Sequence, residues 1–344
     1  MNRQGKPAKT EERKVVMKRL TKLAAAAFAL LCLQLPASAQ QKLEIAVAGH
    51  GYFVGPLYVA VRDGVFKKYG YEANVTYTKG GALAFQACFT KQADVCITSF
   101  EHVLTAAAQG RRLVAIFDIS SRPLNNVVAD NELLEAGKGK TLEERVKLLK
   151  GKRVGTPSAG GSGEKMLTVL ARQYGLELPG DIELVYLGGA ASAYVGAMQN
   201  DLIDAGMPFE PAGVLIEEKG LGGTLVNMMN GEVEAFNDII FMTVVAHPDV
   251  IAEKPDFLKD IGKIFAEAQT TLLDPDKGKA IMNAEFDNLT PEANAAAYAK
   301  VVPIWNPTGM MTAAGAEKVF NYLQPKGDNK IDFNSTFTNE FIPQ

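Results

Sequence analysis

Cysteine and histidine are scarce in this 344-residue chain, with three of each beside a single tryptophan. His50, His102 and His247 stand far apart, with no His-Glu-x-x-His pattern and no paired-cysteine partner, so zinc has no recognisable ligand set and no cofactor is expected. After residue 39 no run of about 18 uninterrupted apolar residues occurs, which argues against a later membrane span. No basic stripe with interleaved aromatics is present, so nucleic acid is not an expected partner. Neither a solenoid-period repeat nor a low-complexity tract appears, and fibrous or disordered classes lose support. Enzyme signatures are missing too. The stretch 155–165 is glycine-rich but fits neither the phosphate-loop nor the dinucleotide-binding spacing. Ser162 lacks the final glycine of a nucleophile elbow. No catalytic carboxylate pair is recognisable, and the chain is not expected to be an enzyme.

What is present begins with charge asymmetry. Eight basic residues crowd the first 22 positions, an apolar run spans Leu23 to Leu35, and Pro36-Ala37-Ser38-Ala39 follows as a small-residue cleavage site. This is the layout of a secretory signal peptide, 1–39, with an apolar core too short to span a bilayer; an uncleaved N-terminal anchor is the alternative. Taking 8 basic and 2 acidic residues from the chain's 36 and 39 leaves 28 and 37, a net charge of −9. Cys88 and Cys96 are the two cysteines that remain. In an oxidising compartment they could pair as a disulfide; the alternative is two small buried apolar residues.

From Lys42 onward, strand-like and helix-like segments alternate. Strands are expected at Lys42–Ala48, Tyr71–Tyr77, Ala93–Thr98, Leu113–Asp118, Asn125–Val128 and Arg153–Gly155. Helices are expected at Leu57–Tyr69, Ala82–Lys91 and Glu164–Tyr174, and Thr141-Leu142-Glu143-Glu144 is a capping box. The pattern predicts an α/β protein with mainly parallel sheets. Two stretches resemble each other, 75–101 and 184–210. Each runs strand, Gly-Gly-Ala turn, helix, Asp-led strand and Phe-Glu, which suggests two related lobes.

A glycine turn after a strand exposes backbone N–H groups at a helix start, where the dipole favours a negative or polar ligand. Such ligands bind beyond the carboxyl ends of the strands. Five loops would converge on a shared cleft, and they supply the candidate binding residues. These are His50, Tyr52 and Phe53 after the first strand; Gly80 and Gly81; Ser99 and Phe100; Ser158, Gly161 and Ser162; and Gly189. Phe209 and Glu210 end the second similar stretch. Arg122 is the best single cation, its guanidinium fork suited to carboxylate, sulfonate or phosphate, with a surface arginine as the alternative. His50 could contact ligand or merely shape its turn. The aromatic residues favour an organic ligand over bare nitrate.

The mature chain resembles the periplasmic solute-binding proteins of the nitrate/sulfonate/taurine importer group, whose relatives include binders of thiamine-pyrimidine precursors. The resemblance is carried by the pattern of Tyr52 to Gly70 and by Gln92-Ala93-Asp94-Val95. It continues through Leu149 to Gly155, Asp201 to Ala205, and Ala246-His247-Pro248-Asp249-Val250. It implies a bilobal type II binding-protein fold of two doubly wound lobes joined by a two-segment hinge. Lobe I would take 40–127 and 243–344, lobe II 128–242, with hinges near Val127–Asp130 and Ile239–Val244. The segment from Asn131 to Arg145 is longer than that group's usual link. The implied function is capture of a small organic anion, sulfonate-like, taurine-like or carboxylate, for an ABC permease and its ATPase subunit. The chain would be a soluble periplasmic monomer. A pyrimidine or thiamine precursor is the alternative ligand. A secreted enzyme on the same fold and a sensory module are the alternative functions. The thiamine-pyrimidine synthase that shares the fold has a cysteine-rich motif absent here.

Overall fold

The computed structural model describes residues 40–323 and 330–343. The expected signal peptide therefore lies outside the described residues. Ten strands form two five-stranded sheets. The first sheet holds β1 (Gln41–Val47), β2 (Tyr71–Tyr77), β3 (Val95–Ser99), β4 (Val114–Ser120) and β10 (Met242–Ala246), in the order β2-β1-β3-β10-β4. The second holds β5 (Val127–Asp130), β6 (Arg153–Thr156), β7 (Glu183–Tyr186), β8 (Ala205–Gly206) and β9 (Gly222–Val226), in the order β7-β6-β8-β5-β9.

The sheets are mixed, where mainly parallel sheets are expected from the alternation. β10 runs antiparallel to β3 and β4, and β5 runs antiparallel to β8 and β9. The reversed strand in each sheet is the first one the chain makes after crossing over from the other. Such a strand arrives by a direct connection and needs no covering crossover helix, which frees it to run antiparallel.

Residues of β3, β4 and β10 are buried along their whole length. That is the signature of strands covered on both faces and explains their near-continuous apolar sequence. The 19-residue helix Pro255–Leu273 is the largest cover of the first sheet. It buries Phe257, Leu258, Ile261, Ile264, Phe265 and Leu272. Phe265 meets Phe117 of β4 at 5.9 Å between ring centroids and Phe66 at 6.4 Å. Burying a side chain of this size contributes about 1.5–3 kcal/mol.

Local signals mostly hold, with one break. The single helix expected over Leu57–Tyr69 is two, Gly55–Arg62 and Val65–Lys68, because Gly64 adopts a left-handed φ of 68° that interrupts the turn. The capping box is formed: Thr141 Oγ1 accepts from the Glu144 amide and Glu144 Oε2 from the Thr141 amide. The long segment from Asn131 to Arg145 lies in the helix Asn131–Gly137, capped by Asp130, and the first turns of Leu142–Lys147.

Cys88 and Cys96 are joined as a disulfide, linking the helix Gly81–Phe89 to β3. The bridge closes a short loop. Replacing both cysteines by alanine is expected to lower stability by about 2–3 kcal/mol, read as a shift of the urea midpoint. An unchanged midpoint would show that the bond adds nothing.

Candidate functional site

A cavity of about 620 Å³ lies between the two sheets, walled by loops from both. From the first sheet's side come Ala48, Gly49, His50 and Phe53, then Thr78 to Gly81, Ser99, His102, Met242, Phe286, Asn288 and Leu289. The second sheet's side contributes Pro157, Ser158, Gly161 and Ser162, then Gly188 to Ser192, Phe209, Glu210, Pro211 and Leu215. Most of these loops follow the carboxyl ends of strands, where open α/β sheets place their ligands, while Phe286, Asn288 and Leu289 come from a turn between helices and Met242 opens β10.

Four helices begin on this wall: Gly81–Phe89, Phe100–Ala108, Ser162–Gln173 and Ala191–Gln199, each of nine residues or more. Their N-cap residues, Gly80, Ser99, Gly161 and Ala190, form no side-chain cap. Away from the cavity the starts are of both kinds: Asp130, Thr141, His247, Asp274 and Thr290 cap their helices with side chains, whereas Gly55–Arg62, Val65–Lys68 and Pro255–Leu273 begin without one. First-turn amides have no intrahelical partner. A cavity ringed by helix starts without side-chain caps therefore presents donors and the positive ends of helix dipoles to whatever enters.

The apolar part of the wall is set by Phe53, Phe209, Phe286, Leu215, Leu289 and Met242. Phe53 and Phe209 touch across the cleft at 4.5 Å between centroids. Nearby, the Tyr52 amide donates to the Glu210 carbonyl at 3.3 Å. His50 stands at one end of the cavity, its ring among Tyr58, Tyr77 and Phe286. Glu285 Oε1 takes its Nε2 at 2.8 Å, and Arg62 Nε donates to the other oxygen of the same carboxylate at 2.6 Å. Lys79 is the lysine of the wall and forms no ion pair with the described residues.

The glutamates of the two Phe-Glu pairs that mark the internal similarity are both buried beside a lysine, although only Phe209 and Glu210 of the four line the cavity. Glu101 is 1% exposed and faces Lys165 Nζ at 3.6 Å, on a helix of the other lobe. Glu210 is also buried and faces Lys300 Nζ at 3.8 Å, again from the other lobe; Lys300 reaches Glu217 at 2.6 Å as well. Burial raises both carboxyls above their ordinary range, and the facing lysines pull them part of the way back. Two Lys-Glu pairs thus join elements far apart in the chain around buried carboxyls.

Of the fourteen residues expected at the site, the structure brings eleven to one wall: His50, Phe53, Gly80, Gly81, Ser99, Ser158, Gly161, Ser162, Gly189, Phe209 and Glu210. Three lie elsewhere. Tyr52 stacks on Phe286 at 4.6 Å behind the wall, its hydroxyl turned to Asn294. Phe100 is fully buried in the core, its amide spent on the Phe241 carbonyl. Arg122 lies half-buried on the segment between β4 and β5 and does not reach the cavity. Lys79 and Ser192 line the wall within the expected loops without having been singled out, and His102, Phe286, Asn288 and Leu289 line it from outside them. Lys79 and Ser192 sit within the glycine turns and were open to inference; the other four depend on tertiary packing. Among the described residues no group of three or more His, Cys, Asp or Glu could hold a metal, and no helix is long and apolar enough to cross a membrane.

Comparison with solved structures identifies the fold as that of the periplasmic binding proteins. A structure from Bordetella bronchiseptica RB50 superposes with a TM-score of 0.77 at 23% identity, over 88% of this chain and 96% of that one. The periplasmic aliphatic sulphonate binding protein SsuA from Escherichia coli superposes with a TM-score of 0.64 at 18% identity, over 83% and 91%. The NMT1/THI5-like family pattern matches residues 53–277, and the chain belongs to that family. A Haemophilus influenzae protein named for thiamine biosynthesis is 28% identical over 183 residues, 49% of this chain; the chain spans about half, 54%, of that relative's length.

Proposed function

We propose that this protein is the solute-binding component of an ABC importer, which holds a small organic anion between two lobes and hands it to a permease driven by an ATPase subunit. One observation carries the reading: four helix starts without side-chain caps, contributed by both lobes, meet at a single cavity. Backbone amides are a fixed set of donors for sulfonate or carboxylate oxygens; the Phe100 amide is taken by the Phe241 carbonyl, and the remaining first-turn amides without side-chain caps are the ones left for the solute. The aromatic and aliphatic wall suits an organic body attached to that head group. The cavity volume is in the range of small-molecule sites and far exceeds what nitrate would fill. Binding rather than turnover is the activity assigned, and a soluble monomer in the periplasm is its setting, in line with the periplasmic sulphonate-binding protein that shares the fold.

In this reading lobe I comprises 40–127 and 243–344, lobe II 128–242, and the two connecting strands near 127–130 and 239–244 form the hinge. A solute touching both walls favours the closed arrangement by its differential affinity. The contacts of Phe53 with Phe209 and of Tyr52 with Glu210 belong to that closed arrangement.

A second reading has its own support. Lys79 is the lone permanent cation on the wall, and flat rings surround His50, which suits a heteroaromatic solute such as an aminopyrimidine. The family match and the thiamine-named relative lean the same way. A thermal-shift and calorimetry panel separates the two: C1 to C6 alkanesulfonates, taurine, the matching carboxylates, nitrate and aminopyrimidines. The anion reading expects sulfonates or carboxylates to raise the melting temperature, a bound fraction at one hundred times Kd giving about 2.7 kcal/mol. A response confined to aminopyrimidines would transfer the site to the second reading.

A further inference from the structure

His102 lies in the first turn of the helix Phe100–Ala108, and its ring forms part of the cavity wall. It is 9% exposed, and none of the described residues hydrogen-bonds to either ring nitrogen. Its place is fixed by Gly81. A Cβ on Gly81 would come within 2.6 Å of His102 Nε2 and 2.8 Å of Thr98 Oγ1, so the glycine gives the imidazole its room. Thr98 Oγ1 already donates to the Gly81 carbonyl at 3.0 Å and offers the ring no hydrogen. Burial, reinforced by the Lys165 ammonium, pushes the ring's pKa down to about 3. The ring is thus uncharged at neutral pH, with one N–H donor and one acceptor. Neither ring nitrogen is among the fully buried, unpartnered polar atoms of the described residues, so the ring's free N–H stays open to the cavity and to an acceptor oxygen of a solute. The wall around it holds the helix starts at Gly81, Ser99 and Ser162, whose amides also lack side-chain caps.

We propose that His102 is a specificity-determining residue of the cavity, its ring N–H donating to an oxygen of the solute's anionic head group while the apolar wall receives the rest of the molecule. The assignment rests on the anion-binding reading above and deepens it, placing the head group at the Gly81 side of the cavity. It requires an acceptor oxygen in the solute and no proton uptake by the imidazole.

The test titrates wild type, His102→Phe and His102→Gln with C2 to C6 1-alkanesulfonates and the corresponding carboxylates by calorimetry. His102→Phe is expected to weaken the tightest-bound of these about 10- to 100-fold, the range of one charge-assisted hydrogen bond. His102→Gln, which keeps an N–H donor, is expected to stay within about fivefold of wild type. With three histidines in the chain, ring ¹⁵N resonances offer a readout on unmodified protein. The same probes should move the His102 ring signals and leave those of His247, remote from the cavity, in place. If wild type binds none of these anions, the anion reading falls and this assignment with it. If wild type binds and either the phenylalanine variant matches it or the His102 signals stay still, the assignment alone is overturned.

Discussion

Gly81→Leu is expected to abolish solute binding, by at least about 100-fold, while leaving the chain folded. The first carbon of the new side chain meets the imidazole of His102 and the hydroxyl of Thr98, both held by buried elements, and the remaining carbons extend along the cavity wall. The cost falls on the site because Gly81 opens its helix at the cavity edge and its backbone is in an ordinary conformation for any residue. Circular dichroism should stay close to wild type, and the ligand-free melting temperature should fall only by the cost of displacing the imidazole and hydroxyl, about 1–3 kcal/mol. Calorimetry with whichever panel member wild type binds then reads the loss. Retained affinity in a folded Gly81→Leu protein would mean that the solute does not use this pole of the cavity.

Lys165→Met is expected to be the most destabilising single change at the lobe interface, by about 3 kcal/mol at pH 8. It strands the Glu101 carboxylate, neither of whose oxygens has a hydrogen-bond partner among the described residues, in a nearly dry environment. The sign of the pH dependence follows from the raised carboxyl. Folded Glu101 holds its proton more tightly than the unfolded chain does, so stability is greatest below the unfolded value and falls as pH rises through the folded one. Removing the lysine takes away the influence that partly lowered that value. The penalty should therefore be largest in alkaline solution and fade toward pH 4. The double variant Glu101→Leu with Lys165→Met should recover most of the loss, since replacing both members of a buried pair with apolar groups is often neutral. Urea midpoints at pH 5 and pH 8 for the single and double variants settle it. A pH-independent penalty, or no recovery in the double variant, would remove the ion pair as the cause.

The glycine turns were legible because their chemistry is local. Gly80-Gly81, Gly161 and Gly189 each sit between a strand-like run and a helix-like run, and such a junction needs a close, flexible backbone whatever the tertiary fold. The internal similarity was legible for the same reason, and its Phe-Glu pairs led to Glu101 and Glu210. What the similarity could not tell is that each glutamate meets a lysine of the opposite lobe, because Lys165 and Lys300 belong to unrelated helices. His102 was hidden by its position one turn into a helix, where a histidine reads as any amphipathic residue. Phe286, Asn288 and Leu289 come from a turn between helices late in the chain that folds back onto the first sheet. Arg122 misled because charge type carries no address: its guanidinium has the right chemistry, but its segment leads from one sheet to the other and bypasses the cavity. Tyr52 and Phe100 misled in the opposite sense, since an aromatic beside a binding loop serves equally well as core.

The placement of β10 sets an order on the birth of this molecule. β10 fills the gap between β3 and β4, and Thr243 Oγ1 donates to the Thr98 carbonyl across 145 positions of chain. The N-terminal half of the first sheet therefore emerges first and waits for its middle. The strands of the second sheet run without interruption from Val127 to Val226 and can assemble among themselves in the meantime. Until Ala246 arrives, β3 and β4 each carry an unpaired edge of largely apolar sequence, the kind of surface that recruits other chains. A nascent chain of this design gains from being kept extended until its last third is made, and delivery across a membrane as an unfolded thread would meet that need.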